Sequence, residues 1–303
     1  MFQKLKRKIY NFTHPVVGEI LMLHRVIEKR SEISINRDIE VTPQFLDNLI
    51  LQYKEKKYDF VSIDEALNRI NSNSFINNRS PFVCFTFDDG YIDNYTNAYP
   101  IFKKYNCPFT IYITTDFYEY KAFLWWYILE QIVISNDSVQ LSNGKIYDTS
   151  NRELKDKAFI DIHNMLSKIN PLSLKSEFSD LFQRYSWNEL QLIMELSMSP
   201  EQIYEISKDP LCTIGAHSVS HPYLSNLNSQ QQRTEIQKSI EKLSKLTHSN
   251  VSHFAYPFGD HDANCISALS ELKVSSAVIA WGAYVRKGCN LYKVPRSFIK
   301  QSV

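Results

Sequence analysis

Short apolar runs alternate with amphipathic segments in the first and last parts of the chain. The apolar runs predict strands at residues 20–23, 81–87, 108–114, 211–216, 252–256, 276–280 and 291–299. Between them, apolar residues recur at helical spacing, as in the segment that Thr42 opens as N-cap and Pro43 as first helical residue. Strands that alternate with helices predict an α/β fold with a parallel sheet.

The middle of the chain has a different pattern. Helical spacing dominates in residues 123–134, 152–166, 172–182 and 187–196, and a capping box follows at Ser199. Because the strand pattern returns afterwards, we predict one domain over residues 1–303 with a helical insertion at 117–210. One α/β barrel commonly occupies roughly 250 residues or more.

Composition and charge exclude several classes of protein. The formal net charge is +1, and the sequence has neither a basic stripe nor a motif that reads nucleic acid. A basic cluster at residues 4–8 predicts a solvated tail, with a weak contact to a membrane surface as the alternative.

The apolar stretch 16–23 is too short for a signal peptide, and no stretch approaches the ~18 apolar residues of a membrane span. Five scattered cysteines predict reduced thiols. We expect a cytoplasmic protein, with peripheral membrane association left open and the oligomeric state undetermined.

Two adjacent carboxylates, Asp88 and Asp89, follow the most apolar predicted strand and precede Gly90. In α/β folds the carboxyl ends of strands carry the chemistry. Neighbouring residues of an extended chain point to opposite sides, so one carboxylate can bind a metal while the other stays free as a base. Taken alone, the three residues also fit a solvated turn.

Two histidines, His217 and His221, follow the predicted strand 211–216. On a helical turn this spacing places both imidazoles on one face, where they can bind one cation. The pair alone is a weak signal. Together with the two aspartates at the same rim of a barrel, it predicts a catalytic metal site with open positions for water and substrate.

Three motifs, in this order, resemble those of the polysaccharide deacetylases with a NodB-type domain, carbohydrate esterase family four. They are Thr-Phe-Asp-Asp-Gly at 86–90, His-Ser-Val-Ser-His at 217–221 and Phe-Ala-Tyr-Pro-Phe-Gly at 254–259. The resemblance covers about residues 18–116 and 210–300 and leaves the helical insertion uncovered. It implies a deformed (β/α)7 barrel and metal-dependent removal of acetyl groups from N-acetyl sugars.

The resemblance also implies roles for individual residues. Asp88 would be the general base, and Asp89, His217 and His221 would bind a divalent metal, Zn²⁺ first and Co, Ni or Mn as alternatives. The backbone N–H of Phe258 would help to stabilise the oxyanion.

The sequence departs from the family pattern at two points. Ala255 stands where the third motif usually has an arginine, and the usual late histidine, the general acid, is absent after His261. In a circularly permuted branch, which resembles the biofilm poly-N-acetylglucosamine deacetylases, the acid histidine lies on an N-terminal strand. His24 is therefore the candidate acid, with a structural histidine at a strand end as the alternative. Arg296 is the candidate replacement that orients Asp88.

Aromatic residues are candidates for contact with sugar rings. Trp125, Trp126 and Tyr127 lie at the start of the insertion, and Tyr256 and Phe258 of the third motif are further substrate-binding candidates. Anchoring of the insertion is the alternative role of the two tryptophans, and we expect Trp281 in the core.

The sequence therefore predicts a metal-dependent deacetylase that hydrolyses the N-acetyl group of an amino sugar in a polysaccharide or glycan intermediate. The alternatives are an O-acetyl esterase on the same barrel and a catalytically weak carbohydrate-binding homologue. The sequence indicates neither which glycan is the substrate nor what the insertion does.

Overall fold

Most strands belong to one curled, mainly parallel sheet. The computed structural model describes residues 13–72, 80–170 and 173–302. In chain order the strands are β1 (Val16–Leu23), β2 (Arg25–Val26), β3 (Glu40–Val41), β4 (Asp59–Phe60), β5 (Phe82–Phe87), β6 (Phe109–Ile113), β7 (Ser138–Gln140), β8 (Ile146–Asp148), β9 (Cys212–Ala216), β10 (His253–Ala255), β11 (Ser276–Val278), β12 (Val285–Arg286) and β13 (Ser297–Phe298).

The parallel strands form a deformed barrel. They pair in the order β11-β10-β9-β6-β5-β1, with β4 beside β5 and an antiparallel β12 beside β1. The C-terminal segment 294–298 then connects β11 to β1, because Val294 bridges to Val278 and β13 pairs with Leu21 and Met22. Six strands and this segment complete the predicted (β/α)7 architecture, so the predicted α/β fold class is confirmed.

The strand predicted at 291–299 is wrong in extent. Only Ser297 and Phe298 are in a strand, and Val294 makes an isolated bridge. Pro295 lies between them and has no N–H to donate to a neighbouring strand, which interrupts the ladder.

Helices surround the sheet. The α-helices are Ser34–Asp38, Pro43–Glu55, Ile63–Asn71, Tyr99–Tyr105, Thr115–Tyr118, Trp125–Ser135, Arg152–Leu166, Leu174–Leu181, Glu189–Leu196, Pro200–Ile206, Ser229–Thr247 and Ala263–Glu271. A π-helical turn, Asn94–Ala98, precedes Tyr99. The predicted cap at Thr42 and the predicted capping box at Ser199 are both present. Among the helices described, none combines the length and apolar character needed to cross a bilayer.

Alternate residues of the central strand β5 face two apolar clusters. Phe85 and Phe87 pack with the outer helices, whereas Phe82 and Cys84 pack in a second cluster that includes Tyr112. Every residue of β5 is buried, as expected for a strand covered on both faces. This rigid strand ends where the two aspartates begin.

A third apolar cluster lies in the predicted insertion and draws most of its residues from 117–196. The helix Pro200–Ile206, which we also assigned to the insertion, instead packs Ile203 and Ile206 in the barrel cluster. The division of the chain into one domain with an insertion at 117–210 stays a prediction.

The hairpin of β7 and β8 was missed in this helical region. Its turn contains Asn143 and Gly144, and Gly144 has φ 88°. Asn-Gly between alternating apolar and polar residues is a strong hairpin signal, which the surrounding helical periodicity obscured.

Three sequence-based predictions fall partly or wholly outside the described residues. They are the basic cluster at 4–8 with its membrane contact, most of the loop at 71–80, and the start of the helix at 172–182.

Candidate active site

The carboxyl ends of the barrel strands bring the motif residues together. Leu23 at the end of β1 pairs with Phe87 at the end of β5, so His24 and Asp88 leave the sheet side by side. The Asp88 N–H donates to the Leu23 carbonyl at 3.1 Å. After β9, the His217 N–H donates to the carbonyl at the end of β6. All four chain segments therefore open on one rim.

Asp89, His217 and His221 form a set of three converging ligand atoms. Asp89 Oδ1 lies 3.5 Å from His217 Nε2 and 3.4 Å from His221 Nε2. All three ligand atoms lie within 4.8 Å of one another. Two ligands bound ~2.0–2.1 Å from one tetrahedral ion lie about 3.3–3.4 Å apart. Asp89 Oδ1 is buried and accepts no hydrogen bond from any described residue, so these side chains fit a divalent cation.

The two imidazoles are neutral, which is the form that binds metal. Burial lowers the pKa of His217 and of His221 to about 4. Nδ1 of His217 lies 2.8 Å from the Ala255 carbonyl oxygen, which has no proton to donate. Nδ1–H of His217 therefore donates, and the Nε2 lone pair is left for the cation.

The predicted helical turn between the histidines is wrong. Residues 217–221 form an irregular loop in which Ser218 has φ 65° and His221 has φ 58°. Two left-handed residues, rather than one helix face, bring the ring centroids of His217 and His221 to 4.8 Å. We call residues 217–221 the histidine loop.

Asp88 is held by a buried arginine, Arg296. The guanidinium donates to both carboxylate oxygens at 2.7 Å and to Thr86 Oγ1 at 3.0 Å. Burial by itself raises the pKa of Asp88, but the Arg296 charge outweighs it, with help from His217, and holds that pKa well below its usual range. Burial raises the pKa of neighbouring Asp89 instead. The two adjacent carboxyl groups therefore have opposite electrostatic environments.

His24 lies at the same rim. Its Nδ1 is buried and has no hydrogen-bond partner among the described residues, and its ring meets Phe298 edge-on at 6.1 Å. Burial raises the pKa of Asp88 and of Asp89. The His24 ring is one of the groups that oppose burial and lower the pKa of each carboxyl group. The structure thus places the candidate acid at the rim that carries both aspartates, directly after the strand that pairs with the one leading to Asp88.

The third motif forms another wall of the site. Phe258 has φ 56°, and its exposed ring stacks on Tyr223 at 4.0 Å and meets His221 edge-on at 4.6 Å. Tyr256 is fully buried, and its hydroxyl donates to the Tyr292 carbonyl at 3.0 Å. Of the two predicted sugar contacts in this motif, only Phe258 presents its ring at the surface.

The two tryptophans of the insertion lie in the helix Trp125–Ser135. Both are partly buried against the insertion cluster, and the Trp125 ring lies 4.9 Å from the His163 ring. Their role toward substrate stays a prediction. Trp281, expected in the core, is instead 54% exposed and lies against Gly259, so that expectation is wrong.

Sequence reasoning missed the residues that fasten the segment after β1. Asp93 accepts the Val26 N–H, and Asn94 Nδ2 donates to the His24 carbonyl, both at 2.7 Å. Asn97 Nδ2 donates to the Val26 carbonyl at 2.7 Å. The sequence around Asn94 carries no signal of this contact, because Asp93 precedes it, Tyr95 follows it, and only the structure shows that Asn94 is buried.

Several solved structures share the fold. The deacetylase PplD of Streptococcus pyogenes, solved in complex with acetate, has a TM-score of 0.64 at 21% identity, over 94% of this chain and 93% of that chain. IcaB from Ammonifex degensii has a TM-score of 0.60 at 16% identity, over 94% and 92%. The BpsB deacetylase domain from Bordetella bronchiseptica has a TM-score of 0.55 at 14% identity, over 93% and 95%. No curated protein sequence matches the chain significantly.

The sequence profile of the polysaccharide deacetylase family matches residues 76–156 and 169–277. The match extends into 117–210, which corrects our expectation that the insertion lies outside the resemblance. His24 and Arg296 lie outside the match, on either side of it. Since the match spans well over half of the chain and contains both aspartates and both site histidines, the predicted carbohydrate deacetylase function is confirmed, and the chain belongs to the polysaccharide deacetylase family.

Proposed function

We propose that this deacetylase hydrolyses the acetamide of an N-acetylated amino sugar and requires a divalent cation, Zn²⁺ first, held by Asp89, His217 and His221. The observation that supports this most directly is the pair of distances, 3.5 Å and 3.4 Å, from Asp89 Oδ1 to the two Nε2 atoms. When bound, such an ion polarises a carbonyl and makes water more acidic.

Asp88 is the proposed general base. Arg296 keeps its carboxylate ionised and fixes its plane through two hydrogen bonds of 2.7 Å. Each carboxylate oxygen has a second lone pair, so one can still accept a proton from the attacking water. The pair thus supplies a carboxylate that is ionised and oriented before the water gives up its proton.

His24 is the proposed general acid, and Phe258 the proposed oxyanion donor. An amine leaves poorly unless it is protonated, so a second group must deliver a proton to the sugar nitrogen. His24 stands at the same rim as Asp88 and has a buried ring nitrogen that no described residue engages. The Phe258 backbone N–H would stabilise the tetrahedral oxyanion, a contact worth about 3–4 kcal/mol.

Acetate release tests the proposal. We expect the zinc-loaded protein to release acetate from oligomers of N-acetylglucosamine, to lose this activity on chelation, and to regain it with zinc, cobalt, nickel or manganese. A His221→Ala variant should contain less metal and release at least ~100-fold less acetate. If acetate is released only from O-acetylated glycans, the proposal is wrong and the protein is an O-acetyl esterase. If the protein binds glycans but releases acetate from neither substrate, it is a carbohydrate-binding homologue.

A further inference from the structure

The histidine loop, residues 217–221, is fastened to the barrel on one side. The Thr115 N–H donates to the Ser218 carbonyl at 3.2 Å, and the Asp116 N–H donates to the Val219 carbonyl at 2.9 Å. These contacts engage the carbonyl groups of the loop. They leave the N–H groups of Val219 and Ser220 directed elsewhere.

Glu235 engages those N–H groups from the opposite side. Its Oε2 accepts hydrogen bonds from the Val219 N–H at 2.9 Å and the Ser220 N–H at 3.0 Å. Its Oε1 accepts the Ser220 hydroxyl at 3.0 Å. Glu235 is half-buried on the long helix Ser229–Thr247, where neighbouring Ile236 is fully buried in the barrel cluster. The carboxylate is therefore presented by a rigid element.

The loop needs such a contact because its backbone is strained. Ser218 and His221 both have positive φ, and a strained backbone residue costs on the order of 1–3 kcal/mol unless its surroundings fix it. Val219 and Ser220 lie between these two residues. Inside the loop the His221 N–H donates to Ser218 Oγ at 3.0 Å, and holding the Val219 and Ser220 N–H groups from outside restrains the same turn.

We propose that Glu235 is a positioning residue of the metal site, which sets the affinity for the cation by fixing the histidine loop. This inference rests on the cation site of the proposed function. Glu235 acts through the backbone of Val219 and Ser220 and does not itself reach the cation. Groups that hydrogen-bond metal ligands directly typically contribute about 10–100-fold to metal affinity, and we expect Glu235, which acts through the neighbouring backbone, to fall within that range.

Zinc affinity of the metal-free full-length chain, measured by competition with a chromophoric chelator, tests the inference. Glu235→Ala should weaken zinc binding by about 10–100-fold. Glu235→Gln should stay within about threefold of the parent, because its amide oxygen can accept both N–H groups while its NH₂ donates to the Ser220 hydroxyl. Glu241→Ala is the matched control, since Glu241 is exposed on the same helix and accepts only from Gln237 among the described residues.

The outcomes separate positioning from charge and from folding. If Glu235→Ala binds zinc as tightly as the parent, the inference is wrong. If Glu235→Ala and Glu235→Gln lose the same zinc affinity, the negative charge of Glu235 and not its hydrogen bonds supports zinc binding, and the inference is also wrong. If the circular dichroism of metal-free Glu235→Ala shows an unfolded chain, Glu235→Asp takes its place. It keeps the charge but is one methylene too short, so it should still bind zinc at least about tenfold more weakly.

The proposed function can fail separately. A parent chain that binds zinc but releases no acetate would refute the deacetylase mechanism, while the ratio of zinc affinities between parent and Glu235→Ala would still decide the role of Glu235.

Discussion

Asp88 and Asp89 are chemically identical neighbours whose surroundings give them different tasks. An extended chain would direct the two neighbouring side chains to opposite sides. The structure shows instead that Asp89 has φ 76° and Gly90 φ 92°. Aspartate adopts the left-handed region more easily than most residues. A Cβ at Gly90 would lie 3.1 Å from Ile113 Cγ2, a tight contact that, together with the positive φ, favours glycine there. The sharp turn directs Asp89 to the imidazoles and leaves Asp88 with Arg296.

Asp88→Asn separates the base from the metal ligands. Asparagine has nearly the same shape but cannot accept the proton, so we expect acetate release to fall by about 10²–10⁴-fold. Zinc affinity should stay within about threefold of the parent, because Asp89, His217 and His221 are unchanged. Acetate assays and chelator competition on the same preparation measure both quantities. Turnover at the parent rate would rule out Asp88 as the base.

At the scale of elements, a π-helical turn positions the candidate acid. Asn94–Ala98 follows the two aspartates closely, and its side chains bind the backbone of the segment that carries His24. Asp93, just before the turn, also pairs with Arg25 at 2.9 Å. π-Helical turns occur often at functional sites. Here the turn fixes His24 relative to Asp88 from within a single stretch of chain.

Asn94→Ala tests this link. Without the hydrogen bond to its carbonyl, the His24 segment should be held less well, and we expect kcat to fall by about tenfold or more, given that small misplacements of catalytic groups cost up to about 10²-fold. Zinc affinity should not change, since no metal ligand is touched. Asn97→Ala, which removes the bond to Val26 one step farther away, is the comparison and should have the smaller effect. Equal kcat in Asn94→Ala and the parent would show that the turn does not position the acid.

A buried acid on β3 predicts a pH-dependent stability. Burial raises the pKa of Glu40 to about 7, and the Arg25 guanidinium, 3.7 Å away, only partly opposes it. The folded state therefore retains a proton that the unfolded state releases, and Glu40 lowers stability as the pH rises from Glu's ordinary value to about 7. Glu40→Gln removes this term. In urea titrations, the free energy of unfolding of Glu40→Gln minus that of the parent should be larger at pH 8 than at pH 5, by roughly 2–3 kcal/mol at most. An equal difference at both pH values would contradict the assignment.

The elements that could be predicted from sequence were those with local signals. Thr42 and Ser199 mark their helices through side chains that cap the first turn. The strand leading to Asp88 was evident because every residue in it is apolar or β-branched. The histidine loop was misassigned because its left-handed residues, Ser218 and His221, are not glycines. Contacts such as Glu235 with Val219 join residues far apart in sequence, and no local pattern encodes them.

At the scale of the whole molecule, barrel closure and the proposed catalytic site depend on the same C-terminal segment. Residues 294–298 connect β11 to β1 and bring Arg296 into the barrel beside Asp88. Arg296 is fully buried, and its Nε–H also donates to the Ile279 carbonyl at 3.1 Å. The charge pair therefore joins the segment 294–298 to the strand that precedes Asp88, the proposed base. We expect the two partners to contribute to the free energy of unfolding as a coupled pair.

A double-mutant cycle on metal-free protein measures this coupling. Arg296→Met leaves the Asp88 carboxylate buried without its partner, which should reduce the free energy of unfolding by about 3–5 kcal/mol. Asp88→Asn in the same chain removes the unpaired charge, so the double variant should recover much of that loss while remaining inactive.

The same pair predicts how stability depends on pH. In the parent the pKa of Asp88 is held low, so the stabilisation from ionised Asp88 is present above the ordinary aspartate pKa and is lost as the pH falls through the folded-state pKa. In Arg296→Met, burial, the largest of the effects on Asp88, loses its main opponent, so that pKa rises. This variant should therefore gain stability relative to the parent as the pH falls from 7 to 5. Additive effects of the two substitutions in urea unfolding, with no change in relative stability over that range, would show that the pair does not join the two ends of the barrel.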